Sequence, residues 1–176
     1  MADPRLAGSK QPYHAVEELP VKEAGRRLAR LSESAVALAT EGLRQAVQEL
    51  REGGATPSAL GILDSAGRKG GSLEAILASH ALIHTADGDH FRHALSEAAE
   101  TCGLAVARVR ERDLLDMAAS VLRRPAAQIQ GEVQALGKPL GPPWTADQKQ
   151  ATLLAWMLLA GHAGVSGRAK PARLNG

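Results

Sequence analysis

The runs Ala59-Leu60-Gly61-Ile62-Leu63 and Leu104-Ala105-Val106-Ala107-Arg108-Val109 bracket a helical pattern over residues 73–101. The first run is short, apolar and flanked by turn-forming residues, and the second alternates apolar and small residues, so both are predicted to be strands. A strand, a helix and a strand of these lengths are typical of a right-handed parallel crossover. The stretch therefore predicts a helix-rich α/β fold with a small sheet and a long crossover helix.

Outside this unit the chain is predicted to be mostly helical. Apolar residues recur at helical spacing over residues 21–52, and shorter helices are expected from about 113 to 123, over 126–136 and over 146–162. The last segment is apolar almost throughout, which predicts a buried C-terminal helix. Because two strands alone make a poor sheet, three arrangements stay open: a further strand from the N-terminal segment, a homodimer, or a minor sheet on a helical body.

The length of 176 residues predicts one domain, which we place at residues 20–163. Residues 1–19 contain two prolines and no clear periodicity, so they are predicted to be a tail that docks late or stays mobile. Residues 164–176 are predicted to be a flexible C-terminal tail. The single cysteine, Cys102, excludes a disulfide framework and a metal site built from several cysteines.

Charge and composition restrict the partners. The formal net charge is +2 and the basic residues are scattered, so charge does not indicate nucleic acid, although nucleic acid stays open as a partner. No apolar run approaches the roughly 20 residues of a membrane span, and the first residues lack the pattern of a signal peptide. We therefore expect a cytoplasmic protein that does not enter a membrane, and the Ala-, Gly- and Arg-rich usage is typical of a bacterium.

Polar side chains interrupt the apolar face of the predicted crossover helix. On one continuous helix, His80, His84 and Asp87 would share the core-facing stripe that also carries Leu77 and Phe91. Buried polar groups cost free energy unless they are paired or functional. Histidines four residues apart, with an aspartate one turn later, can bind one divalent metal ion. We therefore predict His80, His84 and Asp87 as metal ligands.

Two other interpretations of this cluster stay open. The histidines could be packing residues that hydrogen-bond to a backbone carbonyl or a carboxylate. Alternatively, Asp87-Gly88 could divide residues 73–101 into two helices, so that the common face never forms. His90 and His93 fall off the apolar face and are predicted to be surface residues.

Two further segments have simple structural explanations. The glycine-rich loop over residues 64–72 carries Arg68 and Lys69 before a predicted helix capped by Ser72, which suits either a plain connection or an anion site. Thr145 is predicted to cap the last helix. Asp147 follows it, where a carboxylate interacts favourably with the helix dipole.

The strand of residues 57–64 ends in Asp64, a long helix and a second strand follow, and the last helix begins Asp147-Gln148-Lys149-Gln150 and ends near His162. This order of elements, over about residues 57–162, resembles the RuvC-type branch of the ribonuclease H-like superfamily. The resemblance implies that Asp64 and Asp147 are metal-binding acids that act around Mg²⁺. The family's first acidic strand has no counterpart here, and Gln150 stands where its second acid would be.

Two functions are compatible with these observations. We favour a non-catalytic binding or assembly module that carries the His/Asp cluster. The alternative is a metal-dependent hydrolase or nuclease-like enzyme, with a divalent metal ion as cofactor. Its candidate catalytic residues are Asp64, His84, Asp87 and Asp147.

Overall fold

The computed structural model describes residues 2–65 and 71–166, with side chains up to residue 161. In chain order the elements are α1 (Val21–Glu52), β1 (Ala59–Asp64), α2 (Leu73–Leu77), α3 (His80–Thr101), β2 (Ala105–Arg110), α4 (Leu114–Leu122), α5 (Ala126–Leu136) and α6 (Ala146–Ser166). Short 3-10 turns lie at His14–Val16, Glu111–Asp113 and Lys138–Leu140.

The two strands pair in parallel and form a two-stranded sheet, with α2 and α3 as the crossover between them. The predicted helix-rich α/β fold with a small sheet is confirmed. Residues 2–20 add no strand to it, since they form turns and one 3-10 helix. Of the predicted glycine-rich loop, residues 66–70, with Arg68 and Lys69, lie outside the described residues, and so do residues 167–176 of the predicted C-terminal tail.

The chain divides into two compact units, Met1–Arg108 and Val109–Gly176. The sequence predicts one domain over residues 20–163 and contains no signal for this division, because the boundary falls inside the strand β2. Each unit is described by itself below.

In the first unit, α1 packs against α3 through small side chains. Ala35 and Ala39 on α1 meet Ala94 and Ala98 on α3, and each of them is at most 4% exposed. Alanine side chains are short, so the two helices can approach closely and exclude water along a narrow seam. This seam orients α3, and with it the polar residues of its first turns.

The crossover consists of two helices, and the break between them contains no glycine. Helix α2 ends at Leu77 and α3 begins at His80, so the break lies at Ala78-Ser79 and not at Asp87-Gly88. Helix α3 is continuous through Gly88, and a Cβ at this position would lie 2.7 Å from a guanidinium nitrogen of Arg92. Gly88 therefore provides room for the Arg92 side chain, whose Nε donates a 2.8 Å hydrogen bond to the carbonyl of Leu63.

The N-terminal segment, residues 2–20, is packed onto the first unit. Val16 is fully buried in a cluster with Ala24 and Leu28 of α1, and Tyr13 and Leu19 pack around it. Burial of one valine side chain contributes about 1.5–3 kcal/mol. The stretch that the sequence predicts as a tail is therefore docked in the structure.

The second unit contains α4, α5 and α6. Thr145 and Gln148 form a capping box at the start of α6. The backbone N–H of Gln148 donates to Thr145 Oγ1, and the side-chain oxygen of Gln148 accepts from the backbone N–H of Thr145. Helix α6 buries Leu153, Leu154 and Met157, whereas Leu159 is 69% exposed. The predicted C-terminal helix is thus buried along one face rather than all round.

None of the helices in the described parts of the chain combines the length and the apolar character that a membrane span requires.

Candidate metal centre

Three histidine side chains meet at the start of α3. His80 is the first residue of this helix and His84 lies one turn later, which places their Nε2 atoms 3.1 Å apart. His14 reaches them from the 3-10 turn of the N-terminal segment. One ring nitrogen from each of the three residues lies within 4.8 Å of the others. We call this candidate site, made of His14, His80 and His84, the metal centre.

The N-terminal segment holds His14 in place by contacts on both sides of it. Upstream, the carboxylate of Asp3 accepts hydrogen bonds from the backbone and guanidinium of Arg5 and from the hydroxyl of Ser34 on α1. Downstream, Val16 is buried against α1. Local turns alone would not bring His14 to α3, so these contacts with α1 supply the missing constraint.

Asp87 connects the N-terminal segment to α3 directly. Its Oδ1 accepts a 2.6 Å hydrogen bond from the Tyr13 backbone N–H, and its Oδ2 lies 2.5 Å from Nδ1 of His14. A carboxylate can only accept, so the His14 Nδ1 carries the proton in this contact. Both oxygens of Asp87 are therefore engaged, and the Nε2 of His14 is the ring nitrogen left to bind an ion.

This arrangement fits a transition-metal ion bound by imidazole. Zinc–nitrogen bonds of 2.0–2.1 Å in tetrahedral geometry separate the ligand nitrogens by about 3.3 Å, and the two Nε2 atoms on α3 already lie 3.1 Å apart. A ligating histidine commonly donates its other ring N–H to a carboxylate, which sets the tautomer and the orientation of the ring. Asp87 has this relationship to His14.

The sequence-based ligand set differs from the arrangement that the structure contains. His80 and His84 belong to the metal centre, whereas Asp87 contacts His14 and orients it. His80 and His84 have exposed side chains and Asp87 is 8% exposed, so the three residues do not share one core-facing stripe. The reason is that the N-terminal segment covers Asp87 and leaves the turn before it open to solvent.

Sequence reasoning missed His14. It lies in a proline-containing stretch without periodicity, and it is far from α3 along the chain. The only signal in the sequence is that Tyr13-His14 is followed by the apolar residues Ala15 and Val16, which gives the stretch a means of docking.

Asp64, the first acid implied by the family resemblance, lies at the end of β1. Its carboxylate forms an ion pair with the Arg108 guanidinium on β2, and Arg108 also donates to the hydroxyl of Ser96. This pairing raises the pKa of Arg108. The pair connects the last residue of β1 to β2, which is sufficient to explain why an acid stands there.

Asp147, the second implied acid, lies in the first turn of α6 in the second unit. Its side chain is exposed and occupies the position where a carboxylate interacts favourably with the helix dipole. Asp64 and Asp147 belong to different units, so their joint role in binding metal stays a prediction.

The two other histidines of α3 are outside the metal centre. His93 is exposed and forms an i,i+4 pair with Glu97 at 2.7 Å. His90 is partly buried beside Phe91, and this burial lowers its pKa below the ordinary value of histidine. His90 also lines a cavity of about 670 Å³, whose wall includes Tyr13 and Arg108.

No protein-family model, no curated protein and no solved structure matches this chain, so the candidate site rests on its geometry and its chemistry alone.

Proposed function

We propose that this protein is a non-catalytic module that binds a divalent transition-metal ion through His14, His80 and His84. The observation that carries the proposal is the convergence of three ring nitrogens within 4.8 Å, together with the Asp87 contact that sets the tautomer of His14. Imidazole ligands suit zinc, copper and nickel, whereas magnesium and calcium prefer oxygen. Zinc is the ion that best fits this set.

The ion would have a structural consequence. Its ligands come from the N-terminal segment and from the first turns of α3, so a bound ion would join these two parts of the first unit. A ligand that binds only the folded state stabilises it, by about 2.7 kcal/mol at a concentration of 100 times its Kd. The stabilisation would be largest in residues 2–20, because they carry His14 and have little regular structure of their own.

Metal analysis and thermal unfolding test the proposal. We expect the purified protein to retain about one Zn²⁺ per chain and to unfold at a higher temperature with Zn²⁺ than with Mg²⁺ or Mn²⁺. The absence of both a bound ion and a thermal shift would overturn the proposal.

Two variants separate a specific site from general binding to surface histidines. His84→Ala removes a proposed ligand. Loss of an outer-shell partner lowers metal affinity by up to about 100-fold, and loss of a ligand should lower the zinc affinity by more than that. His93→Ala removes an exposed histidine of the same helix that lies outside the metal centre. If both variants bind zinc as the unmodified chain does, the site is not the one proposed.

Metal-dependent hydrolysis is the second candidate, and the observation that favours it is the number of ligands. Catalytic zinc sites use three protein ligands and leave a position for water, whereas structural sites are closed by four. Hydrolysis of activated esters by the zinc-loaded chain, absent in His84→Ala, would favour this candidate.

The nuclease form of the enzyme hypothesis rests on the family resemblance and needs its own assay. Cleavage of branched DNA with Mg²⁺, reduced in Asp64→Asn and in Asp147→Asn, would support it. The cytoplasmic and bacterial assignments likewise rest on the sequence.

A further inference from the structure

We infer that the metal centre binds a small oxyanion, a carboxylate or a phosphate, directly on the metal ion, with Lys10 as the second contact. This inference rests on the proposed metal binding. It extends that proposal from the ion to the class of molecule that the loaded protein recognises.

The metal centre would supply three protein ligands to the ion. Among the side chains that the structure describes, the group that can hold the ion consists of three histidines and no fourth His, Cys, Asp or Glu. Asp87 is an acid in direct contact with this group, and both of its oxygens are already engaged with Tyr13 and His14. Zinc prefers four ligands, so the remaining one comes from solution.

The metal centre is exposed to solvent at two of its three residues. His80 and His84 have exposed side chains, and His14 is half-buried. A metal ion held by these three side chains would therefore be accessible to a molecule from solution.

The charge around a bound ion would favour an anion as its further ligand. Three neutral imidazoles leave the full charge of the ion, and the carboxylate of Asp87 compensates half of it. His80 also lies at the N-terminus of α3, a helix of 22 residues whose dipole adds positive potential at this end. An anionic fourth ligand neutralises the remaining charge better than water does.

Lys10 lines the same cavity as His14 and can provide a second contact for the anion. His14 lines a cavity of about 420 Å³ whose wall also contains Ser9, Lys10 and Gln11. The ammonium group of Lys10 has no acidic partner among the described residues. The cavity is near the lower end of the range for small-molecule sites, so it suits a small ligand.

Cobalt substitution tests this inference, because Co²⁺ takes the place of Zn²⁺ and its visible absorption bands report on its ligands. We expect the full chain loaded with Co²⁺ to show bands that change and saturate as azide, acetate or inorganic phosphate is added. A response to acetate alone indicates a carboxylate ligand, and a response to phosphate alone indicates a phosphate ligand.

A matched pair of lysine variants tests the second contact. Lys10→Gln should weaken anion binding about two- to fivefold, as expected for a solvent-exposed ion pair, and leave the cobalt affinity unchanged. Lys22→Gln removes an exposed lysine of α1 that does not line the cavity, so it should change neither.

The outcomes distinguish the two proposals. If Co²⁺ gives no bands, or if His84→Ala leaves them unchanged, the proposed metal binding is wrong. If the bands form and no anion changes them, or if an anion only strips the cobalt, metal binding stands and the anion inference is overturned. An anion affinity that is equal in Lys10→Gln and in the unmodified chain removes Lys10 from the site.

Discussion

The carboxylate of Asp87 binds the ring of His14 through a 2.5 Å contact between Oδ2 and Nδ1, although 73 residues separate the two along the chain. The same carboxylate accepts the backbone N–H of Tyr13. Asp87 thus fastens the N-terminal segment to α3 and orients the histidine that this segment contributes. Asp87 is buried, with 8% of its surface exposed, and the pairing of both its oxygens explains how an acid can be buried there.

Replacement of Asp87 should weaken metal binding without removing a ligand. In Asp87→Asn the side-chain oxygen can still accept the Tyr13 N–H, but the carboxylate that holds the His14 tautomer is lost. We expect zinc affinity to fall about 10- to 100-fold, as for other outer-shell partners of metal ligands. Competition with a chelator measures the change. Asp89→Asn, on the same helix but paired with Arg92, is the control, and an equal loss in both variants would contradict the role of Asp87.

The turn at Gly8 should be necessary for the docking of His14. Gly8 has a φ of +86°, and a Cβ there would lie 2.4 Å from the Cβ of Ala15. Gly8→Ala should therefore displace the segment, at a cost of about 1–3 kcal/mol, and reduce zinc affinity as well. Urea unfolding and chelator competition measure the two effects. Gly42→Ala is the matched control, because nothing lies near this helical glycine and alanine should stabilise α1 by about 1 kcal/mol.

Asp3 should make the stability of the first unit depend on pH in the acid range. Hydrogen bonds from Arg5 hold the pKa of the Asp3 carboxyl well below its ordinary value. A carboxyl whose pKa is lowered on folding stabilises the folded state above its unfolded pKa of about 3.9, and this contribution is lost as the pH falls. Asp3→Asn should therefore lower the urea midpoint at about pH 7 more than at about pH 3. Glu17→Gln, at an exposed position of the same segment, should show no such difference.

The pKa of His90 should lie below that of a free histidine. Burial lowers its pKa, and the nearby charge of Asp87 only partly opposes this effect. Because the unfolded chain takes up the proton more readily, His90 favours folding above about pH 6.5 and disfavours it as the pH falls below that value. NMR titration of the His90 ring should give a pKa below about 6.5, and a value above it would contradict the burial seen in the structure.

Asp64 should be dispensable for the metal centre. Its carboxylate is paired with Arg108 at the end of the sheet, so Asp64→Asn should leave the zinc affinity of the histidine site unchanged. A loss of stability of up to about 1 kcal/mol is expected, because the pair is partly exposed and screened by solvent. Zinc affinity that falls with this substitution would instead support the interpretation of Asp64 as a metal-binding acid.

Local patterns were sufficient to predict most of the elements. The helical spacing over residues 21–52 corresponds to α1, the apolar run before Asp64 corresponds to β1, and Ser72 caps α2 as expected, since its hydroxyl accepts the Ala75 N–H. These features depend on neighbours a few residues apart, so a sequence pattern contains them. The break at Ala78-Ser79 was not predicted, because a glycine at residue 88 is the stronger local signal and the packing of Arg92 on Gly88 overrides it.

The sequence by itself determined the helix-rich α/β class, the crossover between the two strands, and two of the three histidines of the metal centre. His80 and His84 are one helical turn apart, and helix geometry alone brings such residues together. Only the tertiary structure decided that Asp87 contacts and orients His14, and that His14 lies beside His80 and His84. That outcome depends on the docking of the N-terminal segment, in which Val16 is buried against α1 and Asp3 is held by Ser34. Contacts between residues so distant along the chain leave no periodic trace in the sequence.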